Sequence, residues 1–168
     1  MVVDKTKHGI LEAAKTIMTT DTYPKGSVRK ILTEEGEITI VGIAKGSGMI
    51  APNMATMLVY LFTDASVKKE VLQSYLSEIN EKTFNSISVD GDTSTSDTVL
   101  MAATGQSGIR IEKNDKIFSQ GLTSLMTDLA HQVVKDGEGA SKFVEINILN
   151  ASIKAMHLSI DQLKKKPN

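Results

Sequence analysis

The chain has 168 residues, which is enough for one domain with a single core. Nineteen lysines and arginines balance twenty aspartates and glutamates, so neither nucleic acid nor an anionic membrane is the expected partner. The absence of cysteine excludes disulfides, cysteine-ligated zinc and a thiolate nucleophile, and it suits a cytoplasmic protein. The longest apolar run, residues 57–62, is too short to cross a bilayer, and no signal peptide is expected.

The first half of the chain predicts one helix and two strands. Apolar residues at helical spacing predict an amphipathic helix over residues 8–18, and the polar stretch 19–26 breaks it. Residues 37–41 alternate and are rich in β-branched side chains, which predicts a strand leading into a glycine-rich bend. Residues 57–62 indicate a buried strand, although a run this short is also compatible with a core helix.

The chain after residue 62 predicts two helices and three strands. A 3.6-residue apolar period over residues 67–79 predicts a helix with Asp64 or Ser66 as its N-cap. The same period over residues 122–133 predicts a second helix, which Gly137 is placed to end. These elements predict an α/β domain built in layers of mixed sheet and helix. Its further strands are expected at residues 98–103, 108–111 and 143–149.

Residues 44–58 set a lysine, two glycines and a single threonine in the order that self-cleaving threonine enzymes use. The chemistry needs a hydroxyl on a tightly bent backbone, a small residue before it and a nearby cation. Thr56, Ala55 and Lys45 supply these. Attack of the Thr56 hydroxyl on the Ala55 carbonyl would convert the amide to an ester, and hydrolysis would free the α-amine of Thr56. That amine, with an ordinary pKa of about 7.7 to 8.0, can act as the base for its own hydroxyl.

The same glycine-rich bend also matches a weak dinucleotide-binding pattern, with Gly46, Gly48 and Ala51 at the required spacing after a strand. The context argues against a nucleotide. Pro52 and Asn53 interrupt the stretch where the helix of such a unit should continue, and the compact unit of about 30 residues is missing. We therefore expect no cofactor.

Two polar loops allow either a functional or a structural interpretation. Residues 90–98 crowd acids and hydroxyls as a cation site does, but they lack the glycine and the final acid of a calcium loop, so a turn is favoured. Residues 136–142 are by default a helix end and turn, and Glu138 between two glycines is the candidate if the loop is functional. The three histidines have no metal-ligand spacing, and no metal site is expected.

Four segments together closely resemble, in order and spacing, the self-cleaving, bifunctional ornithine acetyltransferase (glutamate N-acetyltransferase) family of arginine biosynthesis. The resemblance extends over roughly residues 8–150. It implies a self-processing enzyme that moves an acetyl group from N-acetylornithine to glutamate, some members also accepting acetyl-CoA. The four matching segments are residues 17–22, 44–58 with 63–65, 88–98 and 136–142.

The resemblance also implies roles for individual residues. Thr56 would be the nucleophile and the new N-terminus, with cleavage after Ala55. Thr19, Lys45 and Glu138 would line the substrate site, where the lysine suits a carboxylate and the glutamate suits the amino group of an amino-acid substrate. Family members fold as an α/β sandwich with stacked sheets and form α2β2 assemblies of the cleaved halves.

The chain also departs from the family pattern at both ends. The Thr-Gly pair that forms the oxyanion hole in family members has no counterpart before Lys5, and the downstream Asn-containing segment has none after Ala151. We therefore expect residues 1–168 to be a single domain matching the central portion of the enzyme, with a divergent tail over residues 151–168. Two alternatives remain: a non-catalytic fragment or subunit that needs a partner supplying the missing segments, and a self-processed threonine amidohydrolase or aminopeptidase.

Overall fold

Helices and strands alternate irregularly along the chain. The computed structural model describes residues 7–47, 57–89 and 96–146. Within these residues the helices are α1 (Lys7–Thr16), α2 (Lys69–Glu81) and α3 (Lys116–Lys135), with a short 3-10 turn at Phe84–Ser86. The strands are β1 (Lys25–Thr33), β2 (Gly36–Lys45), β3 (Leu58–Thr63), β4 (Ser66–Val67), β5 (Thr98–Ala103) and β6 (Arg110–Ile111).

The main sheet has four strands in the order β1-β2-β3-β5. Strands β1 and β3 each run antiparallel to β2, and β5 runs parallel to β3. Strands β4 and β6 form a separate small parallel ladder. In the β2–β3 pairing, Lys45 lies opposite Leu58. The end of β2 and the start of β3 therefore meet at one end of the sheet, and the chain between them leaves and returns there.

Alternation along the strands sends one set of side chains towards α3 and the other set towards α1. On the α3 side, Ile38, Ile40 and Leu61 are fully buried. Gly42 lies on this side too, and a Cβ added there would sit 2.6 Å from Leu129 Cδ1 and 2.7 Å from Leu61 Cδ2. A glycine at this position therefore allows α3 to lie close against the centre of the sheet.

The structure confirms the predicted fold class, since helices lie in layers against a mixed sheet. The strand predicted at residues 98–103 has the bounds of β5. The run 37–41 falls within β2, and the run 57–62 overlaps β3, which begins one residue later. The helix predicted over residues 8–18 ends two residues earlier, at Thr16. No helix of the described residues is long and apolar enough to span a membrane.

Several local predictions are wrong. Strand β1 was not expected, and the predicted break over residues 19–26 includes its first two residues. Lys68, with no side-chain cap bond, precedes α2, because Ser66 is part of β4 and Asp64 instead bonds the backbone of Thr39. Residues 143–146 have no regular structure, because no described strand pairs with them, and residues 147–149 lie outside the described part.

Helix α3 ends close to the expected position. Its last residue is Lys135, Asp136 is its C-cap, and the N–H of Gly137 bonds the carbonyl of Val134. The glycine with a left-handed backbone is Gly139, with a φ of 72°. The turn after α3 thus begins at the predicted glycine and is completed by the next one.

Candidate functional site

Lys45 is a buried lysine at the end of β2, with an exposed fraction of 7%. Its Nζ lies 3.4 Å from the hydroxyl oxygen of Thr19, in the segment that follows α1. No carboxylate forms an ion pair with Lys45 among the residues that the structure describes. Because buried charges are normally paired, this ammonium is suited to binding an anionic ligand.

A second buried lysine, Lys25, lies at the start of β1 and is fully paired. Its Nζ donates hydrogen bonds to Asp21 at 2.6 Å and to Asp136 at 2.5 Å, and all three side chains are almost inaccessible to solvent. The ring of Tyr23 lies 5.0 Å from the same ammonium. We call Asp21, Lys25 and Asp136 the buried charge cluster.

The buried charge cluster connects the segments that carry the predicted substrate residues. Asp21 accepts hydrogen bonds from the backbone N–H of Thr19 at 3.1 Å and of Gly46 at 2.7 Å. Asp136 accepts from both the backbone N–H and the hydroxyl of Thr22. The cluster therefore joins the loop after α1, the end of β2 and the end of α3.

The pKa of the Asp21 carboxyl reflects these contacts. Burial by itself raises this pKa, but hydrogen bonds from Lys25 and from the backbone of Gly46 and Thr19 lower it, and the lowering prevails. Asp21 is therefore ionised in the folded protein at neutral pH. Its negative charge completes the pairing of Lys25.

Glu138 lies on the turn after α3, beside an open cavity of about 360 Å³. Thr20, Thr22 and Ser47 line the same cavity, and the hydroxyls of Thr20 and Ser47 are 2.9 Å apart. Lys45 does not line it. The structure thus brings Thr19 and Lys45 into contact and sets Glu138 in a neighbouring cavity, with Thr20 and Ser47 between the two.

Thr56 and Ala55 lie outside the described residues, but Met57, which follows them, lies within them. The N–H of Met57 donates to Asp97 Oδ1 at 2.8 Å, and its carbonyl accepts from the N–H of Thr98 at 3.0 Å. Gly46 has a φ of 145°, and a Cβ added there would lie 3.6 Å from Met57 Cα. The chain therefore re-enters the sheet beside the residue that follows Lys45.

Of the acidic loop 90–98, only residues 96–98 are described. The Asp97 carboxylate accepts from the Met57 backbone N–H, and the hydroxyl of Thr98 donates to the carbonyl of Ser96 at 3.2 Å. No cluster of three or more His, Asp or Glu side chains suited to a metal occurs within residues 7–47, 57–89 and 96–146.

Comparison with known proteins assigns the family. The sequence model of the ArgJ family matches residues 1–160. The chain belongs to the ArgJ family. It is 57% identical over 141 residues to the arginine biosynthesis bifunctional protein ArgJ of Ruegeria pomeroyi, a match covering 84% of this chain and 34% of that protein. The ArgJ of Bartonella henselae is 50% identical over 147 residues, covering 84% of this chain and 36% of that protein.

The chain spans about a third of the length of these curated ArgJ relatives. Among solved structures, it is similar to a crystal structure of the arginine biosynthesis bifunctional protein argJ from Bacillus halodurans. The sequences are 38% identical, the TM-score is 0.47, and the match covers 54% of this chain and 43% of that one.

Sequence reasoning missed the buried charge cluster of this ArgJ-family chain. Lys25 stands in a stretch that was interpreted as a break, and Asp136 in a helix end. Asp97 was noticed only as part of an acidic loop. One signal was available, since Asp21, Asp97 and Asp136 all lie in segments that resemble the family.

Proposed function

We propose that this chain carries the catalytic threonine and part of the substrate site of an acetyltransferase that moves an acetyl group from N-acetylornithine to glutamate. Membership of the ArgJ family supports the class of enzyme. The structural observation that carries the proposal is the buried ammonium of Lys45, which has the Thr19 hydroxyl beside it and no described carboxylate partner. A ligand carboxylate would complete this pairing.

The first step is self-cleavage. The Thr56 hydroxyl attacks the Ala55 carbonyl, and the scissile C–N bond breaks as the new ester C–O bond forms. Water then hydrolyses the ester, so that residues 1–55 leave with a new carboxylate. Thr56 is left with a free α-amine and its hydroxyl. One residue then contains both the nucleophile and its base.

The second step is acetyl transfer. The Thr56 hydroxyl attacks the acetyl carbonyl of N-acetylornithine, giving its proton to the α-amine, and ornithine leaves with that proton on its amino group. The amino group of glutamate then attacks the acetyl-threonine ester, and N-acetylglutamate leaves as the hydroxyl is restored. Each half-reaction passes through an anionic tetrahedral intermediate that needs hydrogen-bond donors.

Substrate recognition follows from the charges at the site. Lys45, with Thr19 beside it, binds a carboxylate common to both amino-acid substrates. Glu138 lies on an exposed turn and binds an amino group from the side of the 360 Å³ cavity. The same proposal includes acetyl-CoA as an additional donor, an α2β2 assembly of the cleaved halves and a cytoplasmic location.

The test is the intact mass of the purified chain under denaturing conditions. Wild type should give two species, residues 1–55 and 56–168, whereas Thr56→Ala should stay whole. Thr56→Ser keeps the hydroxyl and serves as the matched control, which should still be cut. A wild-type protein that remains uncut and yet transfers acetyl groups would remove the proposed mechanism.

A further inference from the structure

The backbone of Met57 is held on both sides at the start of β3. Its carbonyl accepts from Thr98, the first residue of β5, as expected for a parallel ladder. Its N–H points to a side chain instead, Oδ1 of Asp97, at 2.8 Å. Met57 itself is buried, with an exposed fraction of 6%. The buried side chain of Met57 therefore holds this residue in place, while Asp97 orients the Met57 N–H.

We propose that Asp97 is a positioning residue for the nucleophile, an inference that rests on the proposed role of Thr56. The peptide bond between Thr56 and Met57 is planar, so the direction of the Met57 N–H fixes the plane that contains the Thr56 carbonyl and Cα. Consecutive Cα atoms lie about 3.8 Å apart. By fixing this plane, Asp97 limits where the Thr56 hydroxyl can be.

The restraint matters both before and after self-cleavage. Before it, the hydroxyl must lie close to the carbonyl of the preceding residue, and a misplacement of about 1 Å can cost about 10²-fold in rate. After it, Thr56 is a chain terminus, and termini fray unless they are tied down. Asp97 then restrains the N–H nearest to the reacting residue.

A matched pair of aspartates makes the inference testable. Asp64 Oδ1 accepts a hydrogen bond from the backbone N–H of Thr39, also at 2.8 Å, at the opposite end of β3. Asp64→Ala thus removes the same kind of bond from the same sheet, away from Thr56. Because Asp97 is exposed, Asp97→Ala should remain folded.

The measurement is the rate of self-cleavage of the 168-residue chain, followed by intact mass. We expect Asp97→Ala to slow cleavage at least about tenfold, within the range that misplacement produces. Asp97→Asn keeps the acceptor oxygen and should be cut like wild type, as should Asp64→Ala. Asp97→Glu keeps the charge but moves the carboxylate, so it should be slow, and it serves as the second variant if Asp97→Ala is unfolded.

Amide hydrogen exchange provides an independent readout. The Met57 amide should lose protection in Asp97→Ala and keep it in Asp97→Asn and Asp64→Ala. Wild-type cleavage rates in both Asp97→Ala and Asp97→Glu would overturn the inference while leaving the role of Thr56 intact. If Asp64→Ala slowed cleavage as much as Asp97→Ala, the slowing would be a stability effect, and the positioning role would be overturned.

Two further outcomes also decide the matter. Failure of Asp97→Asn alongside Asp97→Ala would assign the effect to the negative charge and overturn the positioning role. A wild-type chain that is folded but never cut would overturn the proposed function, and the role of Asp97 with it.

Discussion

Asp21 accepts a hydrogen bond from the backbone N–H of Gly46 at 2.7 Å, which ties the loop after α1 to the residue next to Lys45. The same carboxylate oxygen accepts from Lys25, so this one atom links the buried ammonium of Lys25 to the backbone next to Lys45. The two lysines differ in their partners. Lys25 has two carboxylates, and its role is therefore structural, whereas Lys45 has no ion-pair partner within the described part of the chain.

Lys25→Met should strongly destabilise the fold. It leaves Asp21 and Asp136 buried without their cation, and breaking a buried ion pair in this way typically costs about 3 to 5 kcal/mol. Urea unfolding followed by circular dichroism measures the loss. The control is Lys30→Met, whose exposed pair with Glu37 should contribute little. Equal urea midpoints for Lys25→Met and wild type would refute the structural role.

The location of Lys25 shows why the site could be predicted only in part. Local pattern predicts β5 correctly because its apolar run is uninterrupted, but the start of β1 has a lysine on the buried side. That lysine is tolerated because Asp136, 111 residues later in the chain, pairs with it. The local pattern of apolar and polar residues around Lys25 does not reveal a partner so far along the chain. The segments around Lys45 and Glu138 were singled out by their glycines and charged residues, and the resemblance to a family gave these residues their expected roles.

The strand predicted at residues 143–149, whose described residues 143–146 have no regular structure, illustrates the opposite case. Its β-branched and aromatic residues have strand propensity, but propensity is expressed only where a neighbouring strand offers hydrogen bonds. In the described part, residues 143–146 have no such neighbour, and the ring of Phe143 packs against His131 of α3 instead. Pairing is a tertiary property, and the sequence pattern does not contain it.

Acidification should weaken the fold through Asp21. The pKa of this carboxyl is lowered in the folded protein from its ordinary value of 3.8, so the unfolded state binds the proton more readily. The stabilisation is therefore present above about pH 4 and is lost as the pH falls through the folded pKa. Urea midpoints at pH 7, 4 and 3 measure this loss. Asp21→Asn should have a lower urea midpoint than wild type at pH 7, and its midpoint should change less as the pH falls. A midpoint that falls with pH as steeply as that of wild type would contradict the assignment to Asp21.

Gly42→Ala should destabilise the contact between α3 and the sheet. The added Cβ would meet leucine carbons of both layers, including Leu129 at 2.6 Å and Leu61 at 2.7 Å. Overpacking of this kind typically costs about 1 to 3 kcal/mol. Gly26→Ala is the matched control in β1, because its Cβ would meet only the carbonyl oxygen of Gly42, at 3.7 Å. Thermal or urea unfolding should show a larger loss of stability for Gly42→Ala than for Gly26→Ala. Similar losses would show that the close approach of α3 to the sheet is not the cause.

Lys45→Met and Glu138→Gln should weaken substrate binding more than chemistry. Contacts made equally in the ground and transition states raise KM and leave kcat largely unchanged. In an assembly that supports acetyl transfer, both variants should therefore still form acetylated Thr56 at saturating N-acetylornithine, detected by mass. Lys30→Met and Glu35→Gln are exposed controls and should keep the wild-type KM. If a variant that is folded and cleaved formed no acetylated Thr56, the substituted residue would have a direct role in the chemistry rather than in binding.

The 168-residue chain by itself should self-associate. Across the face of the sheet opposite α3, Val28, Val41, Phe62 and Ala102 form one row in register, and Val28 and Phe62 are about half exposed, at 50% and 46%. A contiguous apolar surface of this kind favours association. We therefore expect the chain alone to self-associate in size-exclusion chromatography with light scattering. Phe62→Lys should shift it towards the monomer, whereas Ile117→Lys, an exposed position on α3, should not.

The same chain should show little acetyl exchange between N-acetylornithine and glutamate. It spans about a third of the length of its curated relatives. The family resemblance implies that the oxyanion donors come from a Thr-Gly pair upstream of the matching segments. One such donor is typically worth about 10² to 10³ in kcat, so an intact nucleophile without its donors remains slow. Adding polypeptides that supply the remaining segments should restore exchange. Robust exchange by the purified chain alone would mean that its own residues stabilise the intermediate, and the donors would then have to be sought among the residues around Lys45 and Met57.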